Sequence, residues 1–467
     1  MIYTLFTNYI LTYVLFTRSL TAAQLAAITL IIVAARIFDA LNDPIMGNII
    51  EHTRSRWGKF KPWLVIGILL TSAVVYFAFN TALTGWAFVW FFALIYFLYS
   101  IAYTMHDISY WGMVAALGSN AADRDRFTSR ASLFAGIGAA LAGVLIPMLT
   151  TGQNAIGGST NIAYGRVALL VGILAPLLLC FTIFGVKENR SIPAAKQNSM
   201  SLKAIVKTLA RNDQLMWIAL IFLIQQVGGS LTLAGVGSTY VYFEFGYQGG
   251  LYSIFTFVGL MASGFLMMFY PVISRKHHRR LLMRFMMAVS AISYALMLLV
   301  GLLMPTGTML KFWLLTIGFM AANFGQNCFY LIMMISIINT VEYNEYRFGT
   351  RDEALISSLR PFLTKLASAV IAALTSFGYI IFGVTGYTNR ISVLEQQAST
   401  GALAEADKLV QIEQVISEVS HTQTIALLLM MTILPCLLMY VAYRLYQKHY
   451  KLDENEYARI CQELNKA

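Results

Sequence analysis

Residues 36–63 read RIFDALNDPIMGNIIEHTRSRWGKFKPW, and the fold follows from how charge enters this stretch. An apolar run, Leu25 to Ala35, leads into it; Arg36, Asp39 and Asp43 then appear before the helical pattern has ended. At i, i+3 and i+7 these three share one helix face, with Asn42 beside them. Behind them comes a loop rich in cations: Arg54, Arg56, Lys59 and Lys61. A charge at the centre of a bilayer costs about 3 kcal/mol on insertion scales and more in simulation. A face carrying three charges therefore points to a protein-lined or watery interior. Pro44 has no N–H for the carbonyl of Ala40, which frees one more oxygen beside the acids. Two carboxylates, an amide and a loose carbonyl are hard oxygen ligands that suit Na⁺ or a proton. In the competing reading, Arg36 only neutralises Asp39 as a clamp between helices, but one cation cannot neutralise two acids.

The rest of the chain agrees with a membrane setting. It has 467 residues, 58% hydrophobic and 12% charged, with a mean hydropathy of +0.66; soluble domains carry about 25% charged residues. The N-terminal run lacks the basic flank and small-residue cleavage site of a signal peptide. Cys180, Cys328, Cys436 and Cys461 are scattered, which suggests neither a disulfide framework nor a metal site. Hydropathy predicts twelve helices near 1–17, 24–50, 62–80, 86–117, 131–151, 164–186, 212–236, 249–272, 280–304, 310–340, 353–384 and 421–446. Most of the 33 lysines and arginines fall in alternate loops and in the tail. The opposite loops hold Arg18, Arg166, Lys311, Arg390 and Lys408, and only Arg36, Arg360 and Lys365 lie within helices. The positive-inside rule then puts both termini in the cytoplasm of a multi-pass plasma-membrane protein. The net charge of +11 is thus a matter of topology, and no nucleic-acid partner is expected.

The longest cytoplasmic connection, 187–211, is basic and divides the helices six and six; a short amphipathic helix is expected over Ser201 to Leu209. The expected domains are an N-terminal bundle (1–186), this linker, a C-terminal bundle (212–446) and a cytoplasmic tail (447–467). Two six-helix halves about a midplane site make the major-facilitator arrangement, an all-α membrane fold. Outside, 385–420 is expected to form an amphipathic helix from about Glu405 to Val419, a solvated cap on the outer mouth. In the tail, Asp453 is placed as the N-cap of a helix whose stripe Tyr457, Ile460 and Leu464 packs on the cytoplasmic face. The glycines Gly136, Gly138 and Gly143 read as close helix packing.

Within the fourth helix, Tyr103, Asp107 and Trp111 share a face at four-residue spacing, with Thr104 one step off. An aromatic platform beside a carboxylate suits a sugar, whose C–H groups meet the ring while its hydroxyls bond the acid. Trp111 also fits an interfacial belt residue, and His106 points away as a packing residue. Arg360 reads as a boundary cation, whereas Lys365 lies too deep to snorkel and needs a buried acid. Asn323, Gln326, Asn327 and Tyr330 form a polar stripe that suits hydroxyl recognition or interhelical hydrogen bonding equally well. No nucleophile–base pair, His/Cys cluster or nucleotide motif is present, so neither an enzyme nor an ATP-driven pump is expected, and no cofactor.

Taken together, R36-IF-D39-AL-N42-D43-P44-IM-G47, T53-RSRWGKFKP-W63, H106-D107-ISY-W111, D123-RD-R126 with Arg130, and T340-VEYN-E345 with Lys365 resemble the glycoside–pentoside–hexuronide:cation symporters, the melibiose-permease-like family of the major facilitator superfamily. The resemblance implies that Asp39, Asn42, Asp43 and Thr104 line a cation site. It implies that Asp107, Trp111 and Arg130 hold sugar beside Tyr103, with Tyr330 near a family aromatic position. Lys365 would sit between the two sites and, with Arg36, couple them. The expected function is symport of a sugar or glycoside with Na⁺ or H⁺ by a functional monomer in the bilayer. The alternatives are a lipid or lysolipid symporter on the same fold, or a transport-dead sugar sensor. The family's first helix begins earlier, with an acid that contacts sugar. The run Met1–Thr17 spans roughly 25 Å against a hydrocarbon core of about 30 Å, so this helix is expected to be N-terminally shortened, with a native start roughly 10–25 residues upstream.

Overall fold

A computed structural model describes residues 1–117, 121–186, 211–276, 278–349 and 353–464. The expected helix of the 187–211 connection lies outside the described residues. Sixteen α-helices are present among those described: α1 (Ile2–Thr17), α2 (Ala22–His52), α3 (Lys61–Phe79), α4 (Gly85–Leu117), α5 (Ala121–Thr150), α6 (Thr160–Gly185), α7 (Asp213–Ser230), α8 (Gly237–Phe245), α9 (Gly249–Lys276), α10 (Arg279–Leu303), α11 (Met309–Phe348), α12 (Glu353–Ile381), α13 (Val384–Ser399), α14 (Glu405–Ser417), α15 (His421–His449) and α16 (Glu454–Leu464).

Among the described residues, nine helices are long and apolar enough to cross a membrane, and α1 and the first part of α9 are shorter apolar helices. The remaining expected helix is a composite: α7 passes through a π-turn at Thr232–Val236 into α8. Two helices outrun the hydropathy reading. The fifth begins at Ala121, and the tenth runs on to Phe348. Polar residues such as those of 126–130 are adequate helix formers, so the helix continues after its apolar part has ended.

The chain forms two compact units. The first takes in α1–α6 together with Gly246–Ser253 and Ser376–Val419; the second takes in α7, α8, Ile254–Thr375 and Ser420 onwards. In the first unit α2 starts on a capping box: Gln24 N–H donates to Thr21 Oγ1 (3.3 Å) and Thr21 N–H to Gln24 Oε1 (2.9 Å). Such a cap contributes about 1 kcal/mol. α3 comes close to α4 through Gly67, where a Cβ would lie 2.6 Å from the backbone nitrogen of His106. That contact holds α4 tightly just where its polar residues begin. The glycine expectation fails in part, for a Cβ on Gly136 would meet open space.

The segment expected to lie outside holds two helices rather than one: α13 and α14 form a hairpin, and its Asn389 grips the residues after α1, accepting from Leu20 N–H (2.9 Å) and donating to Leu20 O (2.7 Å). Three cations expected in outer loops, Arg18, Lys311 and Lys408, are in fact buried. Arg18 donates to Tyr13 Oη (2.7 Å) and to Thr81 O (2.6 Å), and lies over the Phe88 ring. Lys311 pairs with Glu244 inside the second unit, each side chain 2% exposed.

The tail helix α16 docks on the second unit. Asp453 caps it, accepting from Glu456 N–H (3.0 Å), and Ile460 is buried in the core. Glu454 accepts from Arg279 N–H (2.6 Å) and from its guanidinium (3.1 Å). Burial raises the Glu454 pKa, but these bonds outweigh it and hold the carboxyl below the ordinary glutamate value. A depressed folded-state pKa stabilises docking above the unfolded value, and the contribution fades as pH falls through the folded one. The protection factors of the 454–464 amides, measured against the intrinsic exchange rate at each pH, should therefore fall below about pH 4 and be reduced already at pH 7 in Glu454→Gln. Equal protection factors at pH 7 and pH 3 would show that the apolar stripe alone docks the helix.

Candidate functional site

The first unit carries a polar ladder between α2 and α4. Asp39 accepts a hydrogen bond from Ser100 Oγ, and Asp43 accepts one from Thr104 Oγ1 at 3.0 Å. Both pairs are 61 residues apart in sequence. Each step of four along α2 is thus matched by a step of four along α4, as in two helices running in the same direction. The helical repeat alone makes the rungs: residues four apart stack on one face, so two acids meet two hydroxyls. Above the first rung, Arg36 Nη1 donates to Asp39 Oδ2 at 3.3 Å, with the two side chains 5% and 6% exposed, and the guanidinium lies 5.7 Å from the centre of the Tyr96 ring. Arg36 and Asp39 therefore form a buried ion pair, and Asp43, half-buried, lies one turn further along. Asn42 is half-buried, and its Nδ2 is a buried donor with no acceptor among the described residues.

One turn beyond Thr104, α4 presents the second constellation. Tyr103 Oη donates to Asp107 Oδ1 at 3.3 Å. The Tyr103 ring stacks on Tyr99 (5.6 Å, 11°) and meets Tyr3 of α1 at 5.0 Å. Trp111 is 38% exposed and stands edge-on to Tyr110 at 5.3 Å. An aromatic wall thus leads to a carboxylate and on to an open indole. Tyr3 and Tyr99 are members of the wall that the sequence reading missed. Tyr99 falls four residues before Tyr103, so the same spacing rule would have found it; the partner of Tyr3 lies on another helix. His106, expected to point away, borders this wall: its ring stacks on Tyr110 (6.1 Å, 12°) and lies tilted against Tyr103 at 6.3 Å. Arg130 is exposed on α5.

Tyr330 and Lys365 belong to the second unit. The Tyr330 ring is tilted against Phe222 at 5.9 Å, at the edge of that unit's core. Lys365 is half-buried in α12, where its carbonyl accepts from Ser368 Oγ at 2.6 Å. Of the polar stripe on α11, Gln326 hydrogen-bonds the hydroxyl of Tyr294 on α10 and the carbonyl of Gly228 (3.4 Å) on α7, while Asn327 turns back to Asn323 O (2.9 Å). Gln326 thus bonds between helices. Among the described residues no group of His, Cys, Asp and Glu is arranged to hold a metal ion.

A family model described as MFS/sugar transport protein matches residues 1–454. The chain belongs to this family. This MFS protein is similar to the raffinose carrier protein of Pediococcus pentosaceus, 28% identical over 464 residues that make up 96% of this chain and 66% of the relative. It is 31% identical over 385 residues to the lactose permease of Leuconostoc lactis, covering 79% of this chain and 57% of that one. To the isoprimeverose transporter of Lactiplantibacillus pentosus it is 25% identical, over 78% of this chain and 73% of the relative. The chain spans between 57% and 66% of the length of the lactose permeases and raffinose carrier that it matches. Among solved structures, a bacterial homologue of the human lysosomal transporter Spinster superposes with a TM-score of 0.61 at 15% identity, covering 96% of both chains. The xylose transporter of E. coli gives 0.55 at 13% identity, over 88% of this chain and 95% of that one. These likenesses show the major-facilitator fold. With its apolar helices, the chain is a multi-pass membrane protein of that fold.

Proposed function

We propose that this MFS protein is a secondary transporter, not an enzyme, that carries a sugar or glycoside together with Na⁺ or H⁺ by alternating access. The observation that carries the reading is the α2–α4 ladder, in which Asp43 bonds Thr104, the neighbour of Tyr103, with Asp107 about one turn and the open ring of Trp111 about two turns further along α4. Sugar-carrying relatives along most of the chain support the substrate class. The coupling ion is assigned to Asp39, Asn42, Asp43 and Thr104, and the sugar to Asp107, Trp111, Tyr103, Arg130 and Tyr330. Arg36 and Lys365 are the coupling cations. Loading the ion cancels negative charge on α2 and frees Lys365 from competing attraction; by linkage, bound sugar raises ion affinity by the same factor. The loop charges place both termini in the cytoplasm of the plasma membrane, and a monomer suffices for the cycle.

Counterflow of radiolabelled sugars in vesicles, with and without Na⁺ and a pH gradient, tests the whole reading; no exchange of any sugar under any gradient would overturn it. The sugar assignment has its own test. Trp111→Ala should weaken sugar affinity by about tenfold, the worth of one ring contact, while Trp111→Phe, which keeps a ring face, should lose less. Ion binding, followed by Na⁺-dependent tryptophan fluorescence or by calorimetry, should persist in both. Equal loss of ion and sugar binding would make Trp111 a packing residue.

A further inference from the structure

Two segments from the later part of the sequence pack within the first unit, and both meet at Thr160, the first residue of α6. Its backbone N–H donates to Glu395 Oε2 at 2.7 Å and its hydroxyl to Glu395 Oε1 at 3.0 Å. The same hydroxyl lies 3.0 Å from the phenol of Tyr247. A threonine hydroxyl has one proton, so while it donates to the carboxylate the phenol is the donor to it. Lys408 Nζ completes the cluster, 3.4 Å from Glu395 Oε2 and donating to Gly158 O at 2.7 Å. The Glu395 and Lys408 side chains are 0% exposed. Nearby, Gln396 Nε2 donates to Thr17 O at 2.9 Å, and Gly249 N–H to Thr151 O at 3.3 Å.

Solvated surface helices do not bury a Lys–Glu pair, because removing both charges from water is expensive. The cluster therefore fixes something. Tyr247 lies on the turn between α8 and α9, and Glu395 and Lys408 lie on the α13–α14 hairpin. On either side of these fastened segments the chain runs on into helices of the second unit: α8, α9, α12 and α15. A left-handed glycine, Gly246 (φ 97°), stands at one of these joints, and another, Gly383 (φ 71°), follows α12 within the fastened segment; at both a side chain would strain the bend. Alternating access moves one unit's helices relative to the other's, so the fastened segments must either release or flex at these joints. The chemistry of the fastening favours release. A buried ion pair roughly breaks even against its hydrated, separated state, whereas an apolar contact of equal volume is often more stable by about 1–4 kcal/mol. A polar cluster can hold one conformation and still let go.

We propose that Thr160, Tyr247, Glu395 and Lys408 form a releasable latch, which fastens the α8–α9 turn and the α13–α14 hairpin to the first unit in this conformation and opens in another during transport. The proposal rests on the transporter reading but can be tested apart from it. Ser392, fully buried on α13, is replaced in the full chain by Ser392→Cys. Its labelling by a membrane-impermeant maleimide is then followed in vesicles, above the background of the native cysteines. Lys408→Ala, which strands the Glu395 carboxylate, should speed labelling by about tenfold, and Lys408→Met with Glu395→Gln, which leaves no lone charge and keeps an acceptor for Thr160, should bring it back toward the wild-type rate. Equal rates in all three backgrounds would overturn the latch. A second reading uses the pair Leu20→Cys with Asn389→Cys. Cross-linked by an oxidant, it should lose sugar exchange and regain it on reduction; full exchange with the cross-link complete would make the hairpin a fixed part of the unit. If the double variant does not fold, the cross-link decides by itself. If wild type moves no sugar yet labelling responds as expected, the transporter reading fails and the latch stands as a conformational switch.

Discussion

Asp43→Asn is expected to abolish uphill sugar accumulation while leaving exchange of sugar down its gradient. The amide keeps the size of the side chain and can still meet Thr104, whose hydroxyl now donates to Asp43 at 3.0 Å. It loses the full negative charge, which is what a monovalent cation binds or a proton titrates. The coupling between ion and sugar, typically about 5- to 150-fold in affinity, should fall to none. The measurement is accumulation against an imposed Na⁺ or H⁺ gradient, paired with counterflow in the same vesicles. Normal accumulation by Asp43→Asn would remove Asp43 from the ion site. Loss of counterflow as well would show that the residue organises the sugar site too.

The second large effect concerns stability. Arg36→Met should lower thermal stability severely, because Asp39 would remain as a buried carboxylate whose guanidinium partner at 3.3 Å is gone. Breaking a buried pair from one side costs about 3–5 kcal/mol, enough to deplete the folded protein in the membrane. Adding Asp39→Asn should recover much of the loss, since an amide still accepts from Ser100 and no lone charge is left. Expression and melting in detergent read the effect. A single variant as stable as wild type would mean that Asp39 is neutralised by a bound proton or cation rather than by Arg36, which would strengthen its place in the ion site. The pair explains why the competing clamp reading of Arg36 and Asp39 has real geometric support. The geometry leaves Asp43 as the acid on which the coupling test turns.

Much of this molecule could be read from spacing. A run of apolar residues long enough to cross the bilayer needs no partner to be recognised, because the solvent decides it. The shared face of Arg36, Asp39 and Asp43 follows from the helical repeat within one segment, as does that of Tyr103, Asp107 and Trp111. The tail cap at Asp453 is likewise local, since cap and N3 residue are neighbours in sequence. Even the rungs between α2 and α4 are implied once two faces with the same four-residue period are known to pack. What spacing cannot reveal is which residues from distant segments come together. Lys408 in a hydrophilic stretch looks like any solvated cation, and Glu395 like any solvated acid. Only packing places them, unexposed, at the start of α6, with Thr160 235 residues from its acid in the chain. The same holds for Lys311 with Glu244, for Arg18 among neutral oxygens, and for Tyr3 beside Tyr103. The sequence by itself determined the long apolar helices, their membrane character and the faces that carry charge, because those depend on interactions within a few turns of one helix and with the solvent; it left α13 and the π-turn between α7 and α8 unread. The tertiary structure alone decided which loop charges are withdrawn from water and what they hold, because the cost of burying a charge is met only by a partner that the folded chain brings to it.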